Sequence, residues 1–219
     1  MYYALIGDMV ASRKLSAKAR QDAQKRFELA LEKVNAEFSE HIAAKFLITL
    51  GDECQGLMLP SGDPVAAALM IMHEMQPFGI RMAIGCGQIV TPIKHEAAIG
   101  MDGPAFHLAR AAVEAMKPKH ALRLAAALDD ERIEETINTV AALCDRISSD
   151  WTKKQEELVY AMLQAKLRGV RMTQTELASA FGIGQSTVNA QLSSAGYNEY
   201  SSGMAFIKKL LSEYERSVE

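Results

Sequence analysis

Two aspartates stand in places where an apolar strand ordinarily carries no charge. Asp8 interrupts the far end of a near-continuous apolar run at residues 2–10, YYALIGDMV. A carboxylate buried there costs on the order of several kcal/mol unless it is paired or bound to a metal. Asp52 lies in Gly51-Asp52-Glu53, between two short alternating runs at residues 46–50 and 54–59 that read as a hairpin. Each has a plain structural explanation: Asp8 caps the loop after its strand, and Asp52 is a turn residue. The chemical explanation joins them. Two carboxylates at adjacent strand ends, offering oxygen ligands only, suit Mg²⁺ or Mn²⁺ carried in with a nucleotide. His107 and Arg110 are the remaining catalytic candidates, three apart and so neighbours on one face of a helix expected over 104–116. Arg110 could equally pair with Glu114 four residues on, and a lone histidine is commonly just a satisfied polar residue.

A second group of residues suggests a different chemistry. Residues 173–196, TQTELASAFGIGQSTVNAQLSSAG, begin with a Thr173-x-x-Glu176 capping box and continue through Leu177, Ala178 and Phe181. Gly182-Ile183-Gly184 makes a short turn, and residues 185–195 form the next helix with Val188 and Leu192 inward. The string resembles a helix-turn-helix, in which the second helix enters the major groove of DNA. Its outward groups, Gln185, Ser186, Thr187, Asn189 and Gln191, can hydrogen-bond base edges. That helix has no Lys or Arg, so phosphate contacts fall to Lys153, Lys154, Lys166, Arg168, Arg171, Lys208 or Lys209. A plain helical bundle used for dimerisation remains the alternative.

The elements that must position these residues follow from periodicity. After the first strand, residues 17–38 form an amphipathic helix with Ala23, Phe27, Ala30, Leu31, Val34 and Phe38 on one face. The hairpin at 46–59 follows. A helix then starts at Asp63 as N-cap and Pro64 as first residue, ending at Pro77. Residues 79–93 read as strand, Gly-rich turn and second strand, and residues 104–116 as a helix. This order fits a ferredoxin-like α/β (α+β) unit: a mostly antiparallel sheet with helices on one face. It brings Asp8 and Asp52 together by laying the first strand beside the hairpin. Residues 120–128 are ambiguous between strand and helix. The expected organisation is an α/β domain at 1–128, a connecting helix at 129–150, and a helical domain at 151–219 anchored by Trp151.

With 219 residues and a net charge of −3, the chain can bury a proper core and has no general attraction to nucleic acid or acidic membrane. Any DNA contact must be local, and useful affinity calls for a homodimer reading two half-sites. Cys54, Cys86 and Cys144 are widely spaced and suggest neither a disulfide framework nor a zinc site. No apolar segment approaches membrane-spanning length. The expectation is a soluble, cytoplasmic protein with no membrane partner.

Four blocks carry a resemblance. Asp8-Met9-Val10-Ala11-Ser12 resembles the first-strand metal motif of class III nucleotidyl cyclases, and Gly51-Asp52-Glu53 their second metal motif and the GGDEF signature of diguanylate cyclases. Arg81-Met82-Ala83-Ile84-Gly85-Cys86-Gly87 resembles the RxGIxxG strand, and residues 103–110 the helix that follows it. Taken whole, the chain resembles the bacterial SatD family. The cyclase resemblance implies a cyclase-like sheet with Asp8 and Asp52 as metal ligands. It also exposes departures: the transition-state Asn position is His107, and the Arg position falls on Ala111, with Arg110 turned about 100° away. The purine-selecting Lys and Asp positions fall on Ile48 and Gly100. Losing charge stabilisation of this kind argues against efficient cyclisation. Two functions follow: a DNA-binding transcriptional regulator with a degenerate nucleotide- or metal-sensing domain, or a metal-dependent nucleotide enzyme with an accessory helical module.

Overall fold

The computed structural model describes residues 1–49, 51–118, 122–167 and 169–218. The expected strand position of Leu50, the start of the ambiguous segment at residues 119–121 and the proposed phosphate contact of Arg168 lie outside the described residues.

The sheet is built from β1 (Tyr2–Met9), β2 (Ile42–Ile48), β3 (Glu53–Met58), β4 (Ile80–Gly87) and β5 (Leu124–Ala127), in spatial order β2-β3-β1-β4-β5. The helices are α1 (Ala17–Glu37), α2 (Pro64–Glu74), α3 (Pro104–Met116), α4 (Glu131–Ser148), α5 (Lys153–Leu167), α6 (Gln174–Phe181), α7 (Gln185–Ser194) and α8 (Tyr197–Ser217). The first four strands have the expected ferredoxin-like order and pair antiparallel. The fifth departs from it: β5 runs parallel to β4, which makes the sheet mixed and settles residues 124–127 as strand.

The helices do not share one face. Tyr3, Leu5 and Met9 of β1 pack into a cluster with Phe27 and Leu31 of α1 and Leu69 and Ile71 of α2. Ala4 and Ile6, pointing the other way, pack with Ala105, Phe106, Ala109 and Val113 of α3. The strands explain this, because β1 and β4 are buried on both faces and need a layer on each. Two glycines let α3 come close: a Cβ added at Gly85 or Gly87 would strike the backbone of α3 around Ala105.

The hairpin expected over 79–93 is a single strand, β4, followed by an irregular connection at residues 88–103. That connection reaches the β2 edge, where Lys45 N–H donates to the His95 carbonyl (2.9 Å) and Ala98 N–H to the Lys45 carbonyl (3.2 Å). Its backbone thus bonds to β2, not to β4. The other edge is closed by side chains of α4. Asn138 bonds both the N–H and the carbonyl of Ala126 (2.8 and 2.9 Å), Asp145 accepts from Arg123 N–H (2.6 Å), and Glu134 accepts from Leu128 N–H (2.9 Å).

The apolar cluster on the α1 side continues from the sheet through α4 and α8 to α5, α6 and α7. Trp151 donates to the Ala195 carbonyl (2.7 Å) and meets Tyr200 edge-on, tying the start of α5 to the beginning of α8. The last helix starts at Tyr197, four residues earlier than its periodicity indicates. Its far end lies on the sheet, with the Tyr3 hydroxyl donating to Glu215 (3.2 Å).

Candidate functional site

Strand register sets a row of charge across the sheet. Asp8 of β1 lies opposite Glu53 of β3 on one side and Arg81 of β4 on the other. By alternation from Ile6, Leu57 and Ala83, all three face α3. Glu53, expected in the turn, is the first residue of β3 and is buried.

Each charge in the row has a partner. Arg81, 5% exposed, donates from Nη1 to Asp8 Oδ2 (3.1 Å). Lys117, just past α3, brings Nζ to 3.9 Å from Asp8 Oδ1 and is held by Glu114 (2.6 Å). Arg110 of α3 pairs with Glu53, not with Glu114, and Thr49 Oγ1 donates to Glu53 Oε1 (3.3 Å). At the hairpin tip, Asp52 Oδ2 accepts from Ser12 Oγ (2.6 Å), and the Asp52 carbonyl accepts from Met9 N–H (2.8 Å). Arg81 Nε is buried with no hydrogen-bond partner among the described residues.

Burial pushes the Asp8 carboxyl above its ordinary range; Lys117 and Arg81 pull it back, and the nearby charge of Asp52 pushes it up again. The hydrogen bond to Glu114 holds the Lys117 ammonium above its usual value, with Asp8 adding to the effect. Asp8, Asp52 and Glu53 thus stand against Arg81, Arg110 and Lys117, three carboxylates against three cations. Mg²⁺ demands near-octahedral oxygen ligands at about 2.0–2.1 Å. Here one oxygen of Asp8 faces Arg81, the other faces Lys117, and Asp52 accepts from Ser12. Among the described residues no group of three or more His, Cys, Asp or Glu could hold a metal ion. In this arrangement the donor set does not fit a divalent ion.

His107 does not join the row. Its Nε2 lies 2.6 Å from Asp102 Oδ1, and both side chains are well exposed, at 69% and 60%. The helix spacing that made His107 and Arg110 neighbours does not make them converge, because Arg110 reaches inward to Glu53. Sequence reasoning missed Glu53 and Lys117 as members of the row and quoted Arg81 only within a motif. One signal was available: Arg81 is the single charge in an otherwise apolar strand, the counterpart of Asp8 in β1.

The second candidate surface is α7. Thr173 and Glu176 form both halves of the capping box, and Gly182 ends α6 at φ 62°, in the left-handed region that glycine adopts without strain. Leu177 and Ala178 of α6 and Val188 and Leu192 of α7 are buried. Gln185, Ser186, Thr187 and Asn189 are exposed, and Gln191 is half-buried. Asn189 Oδ1 accepts from Gln174 (3.4 Å). The surrounding cations are unequal. Lys153 is 91% exposed on a loose pair with Glu157, Arg171 is exposed, and Lys154 lies over the Phe181 ring. Lys208 is committed to Asp63 (2.6 Å), Lys209 pairs with Glu213 (3.6 Å) and Lys166 donates to Ser201 (3.0 Å), so these are weaker phosphate candidates than Lys153 and Arg171.

A family model described as the SatD family matches residues 2–211, nearly the whole chain. The chain belongs to the SatD family. Two solved structures, each of a bacterial light-regulated adenylyl cyclase, resemble this SatD-family chain at 15% identity with a TM-score of 0.41 and 13% with a TM-score of 0.42. Each match covers 57% of this chain and 42% of the cyclase chain, so it takes in less than half of those proteins. No curated protein matches the chain. No helix among the described residues is long and apolar enough to cross a membrane.

Proposed function

We propose that this SatD-family chain is a DNA-binding regulator whose α7 reads the major groove and whose sheet serves as a sensing or partner-contacting body. The observation that supports this most is the make-up of α7. Val188 and Leu192 fix one side of it in the core, while Gln185, Ser186, Thr187 and Asn189 present uncharged hydrogen-bonding groups to solvent. Amide side chains at such positions pair with adenine edges, and hydroxyls adapt to several bases. Lys153 and Arg171 would supply the phosphate contacts that set register. With so few free cations beside α7 among the described residues, one copy binds weakly, and a homodimer on two half-sites is the form that would reach useful affinity.

The nucleotide-enzyme reading has less behind it. Seating a metal ion with a nucleotide on Asp8 and Asp52 would require Lys117 to withdraw and Arg81 to lose its partner.

Fluorescence anisotropy of labelled duplexes tests the DNA reading. Lys153→Ala and Arg171→Ala should weaken binding uniformly across sequences and each lower the salt slope by about 1. Gln185→Ala or Asn189→Ala should cost about 1–3 kcal/mol on a preferred duplex and little on an unrelated one. α7 variants that bind every duplex as the parent does would contradict the proposal.

A further inference from the structure

A cavity of about 180 Å³ lies where the end of α2, the residue before β5, the end of α4 and the start of α5 meet. It is on the α1 side of the sheet, and its lining includes no residue of the Asp8 row or of α7. Three polar groups stand on its wall. Arg123 is half-buried, and its guanidinium takes no hydrogen bond or ion pair among the described residues, although its charge reaches both Glu156 and Asp145. Glu156 has a hydrogen bond from Gln76, and burial still pushes its carboxyl upward. His73, also on the wall, leaves Nδ1 buried with no hydrogen-bond partner among the described residues. Burial pushes this imidazole down to about 4, so the ring is neutral near pH 7 and one of its nitrogens can accept a hydrogen bond. Much of the remaining lining is apolar or aromatic, including Leu69, Met72, Val159, Leu163 and Trp151.

We propose that this cavity binds a small zwitterion, a free α-amino acid with an apolar side chain, its carboxylate on Arg123 and its ammonium on Glu156 and His73. The wall itself selects this chemistry. A simple anion would be opposed by Glu156, and a simple cation by Arg123. A purely apolar molecule would leave the buried His73 Nδ1 unsatisfied, which is costly. A molecule carrying both charges on one carbon meets both at once and leaves its side chain for the apolar lining. A cavity of about 150 Å³ accommodates benzene, so this one holds roughly seven non-hydrogen atoms and leaves the end of a leucine or methionine at its open mouth. The assignment does not depend on what α7 contacts.

Calorimetry on the full chain tests it, with L-leucine and L-methionine as probes beside two truncated analogues of leucine. 4-Methylpentanoate lacks the ammonium and 3-methylbutylamine lacks the carboxylate. Each analogue should bind roughly tenfold or more weakly than leucine, since each loses a charge-assisted contact. Arg123→Gln should erase the preference for leucine over the amine, and Glu156→Gln the preference over the acid. Met72→Trp, which fills the cavity from a half-buried position, should abolish binding while circular dichroism stays unchanged. The analogue series on the unaltered chain decides the matter even if a variant fails to fold. No heat from either amino acid, or equal affinity for leucine and both analogues, would overturn the assignment.

Discussion

Asp8 combines burial, two cations and a neighbouring carboxylate, and its removal should be read as the breaking of a network. Asp8→Asn leaves Arg81 buried, with its Nε already lacking a partner, and should cost about 3 kcal/mol in urea denaturation. The double variant Asp8→Leu/Arg81→Met should recover much of that loss, because a matched apolar pair leaves no uncompensated charge. A neutral Asp8→Asn would show that the pair contributes nothing. Asp145 gives a second test. It is 4% exposed, and burial pushes its carboxyl to about 6 against the N–H bonds from Arg123 and Leu124 and the charge of Arg123. The folded state therefore binds this proton more tightly than the unfolded chain. The associated stability is complete below about pH 4 and is lost as pH rises through about 6, on the order of 2–3 kcal/mol. His73, held low, works in the opposite sense over much of the same window. The difference between the chain and Asp145→Asn in urea midpoint should isolate the Asp145 contribution, falling from pH 4 to 6. A flat difference would contradict it. At this scale the sequence showed Asp8 plainly, as a charge in an apolar run. It could not show the partner Arg81, 73 positions away, because register across the sheet is not a local property.

Elements with local signals were legible and those with distant ones were not. The starts of α2, α4 and α6 carry their own caps, Asp63, Asp130 and Thr173, each accepting a backbone N–H of the first turn. The hairpin of β2 and β3 was visible from alternation, although β2 starts at Ile42, four residues before the alternating run, and ends at Ile48. Residues 88–93 include the β-branched Ile89, Val90, Thr91 and Ile93, yet they form no strand: Val90 N–H bonds to the Asp102 carbonyl and the Gln88 carbonyl accepts from Ala105 N–H. The side of the sheet on which α3 lies was equally hidden, because Gly85 and Gly87 mark a close approach without naming the helix that makes it. Both edge strands are held by an asparagine from a helix: Asn35 bonds the N–H and carbonyl of Phe46 (2.8 and 2.9 Å) as Asn138 does those of Ala126. An open strand edge invites pairing with other chains. Asn138→Leu should cost about 1–3 kcal/mol, the price of leaving a buried backbone pair unsatisfied, and should raise aggregation at midpoint denaturant followed by light scattering. Unchanged stability and no scattering would mean that water serves the edge as well as the side chain does.

On the scale of the whole molecule, one apolar cluster joins the sheet to the helices that carry α7. Helix α8 spans the two, beginning beside Trp151 and ending against Tyr3. The sequence indicated two kinds of architecture in one chain, and the capping box, turn glycine and inward Val188 and Leu192 read for the helical one are present in α6 and α7. It did not indicate how far the two are packed together, because the contacts of Lys208 with Asp63 and of Tyr3 with Glu215 join segments far apart in the chain. Whether α7 reads DNA is decided by selection of bound duplexes from a random pool by the intact chain. The expected result is an enriched motif, repeated in inverted orientation about one helical turn apart. Asn189→Ala and Gln185→Ala should relax that motif at defined positions. A pool that stays random at low salt, or a motif that survives both substitutions, would contradict it.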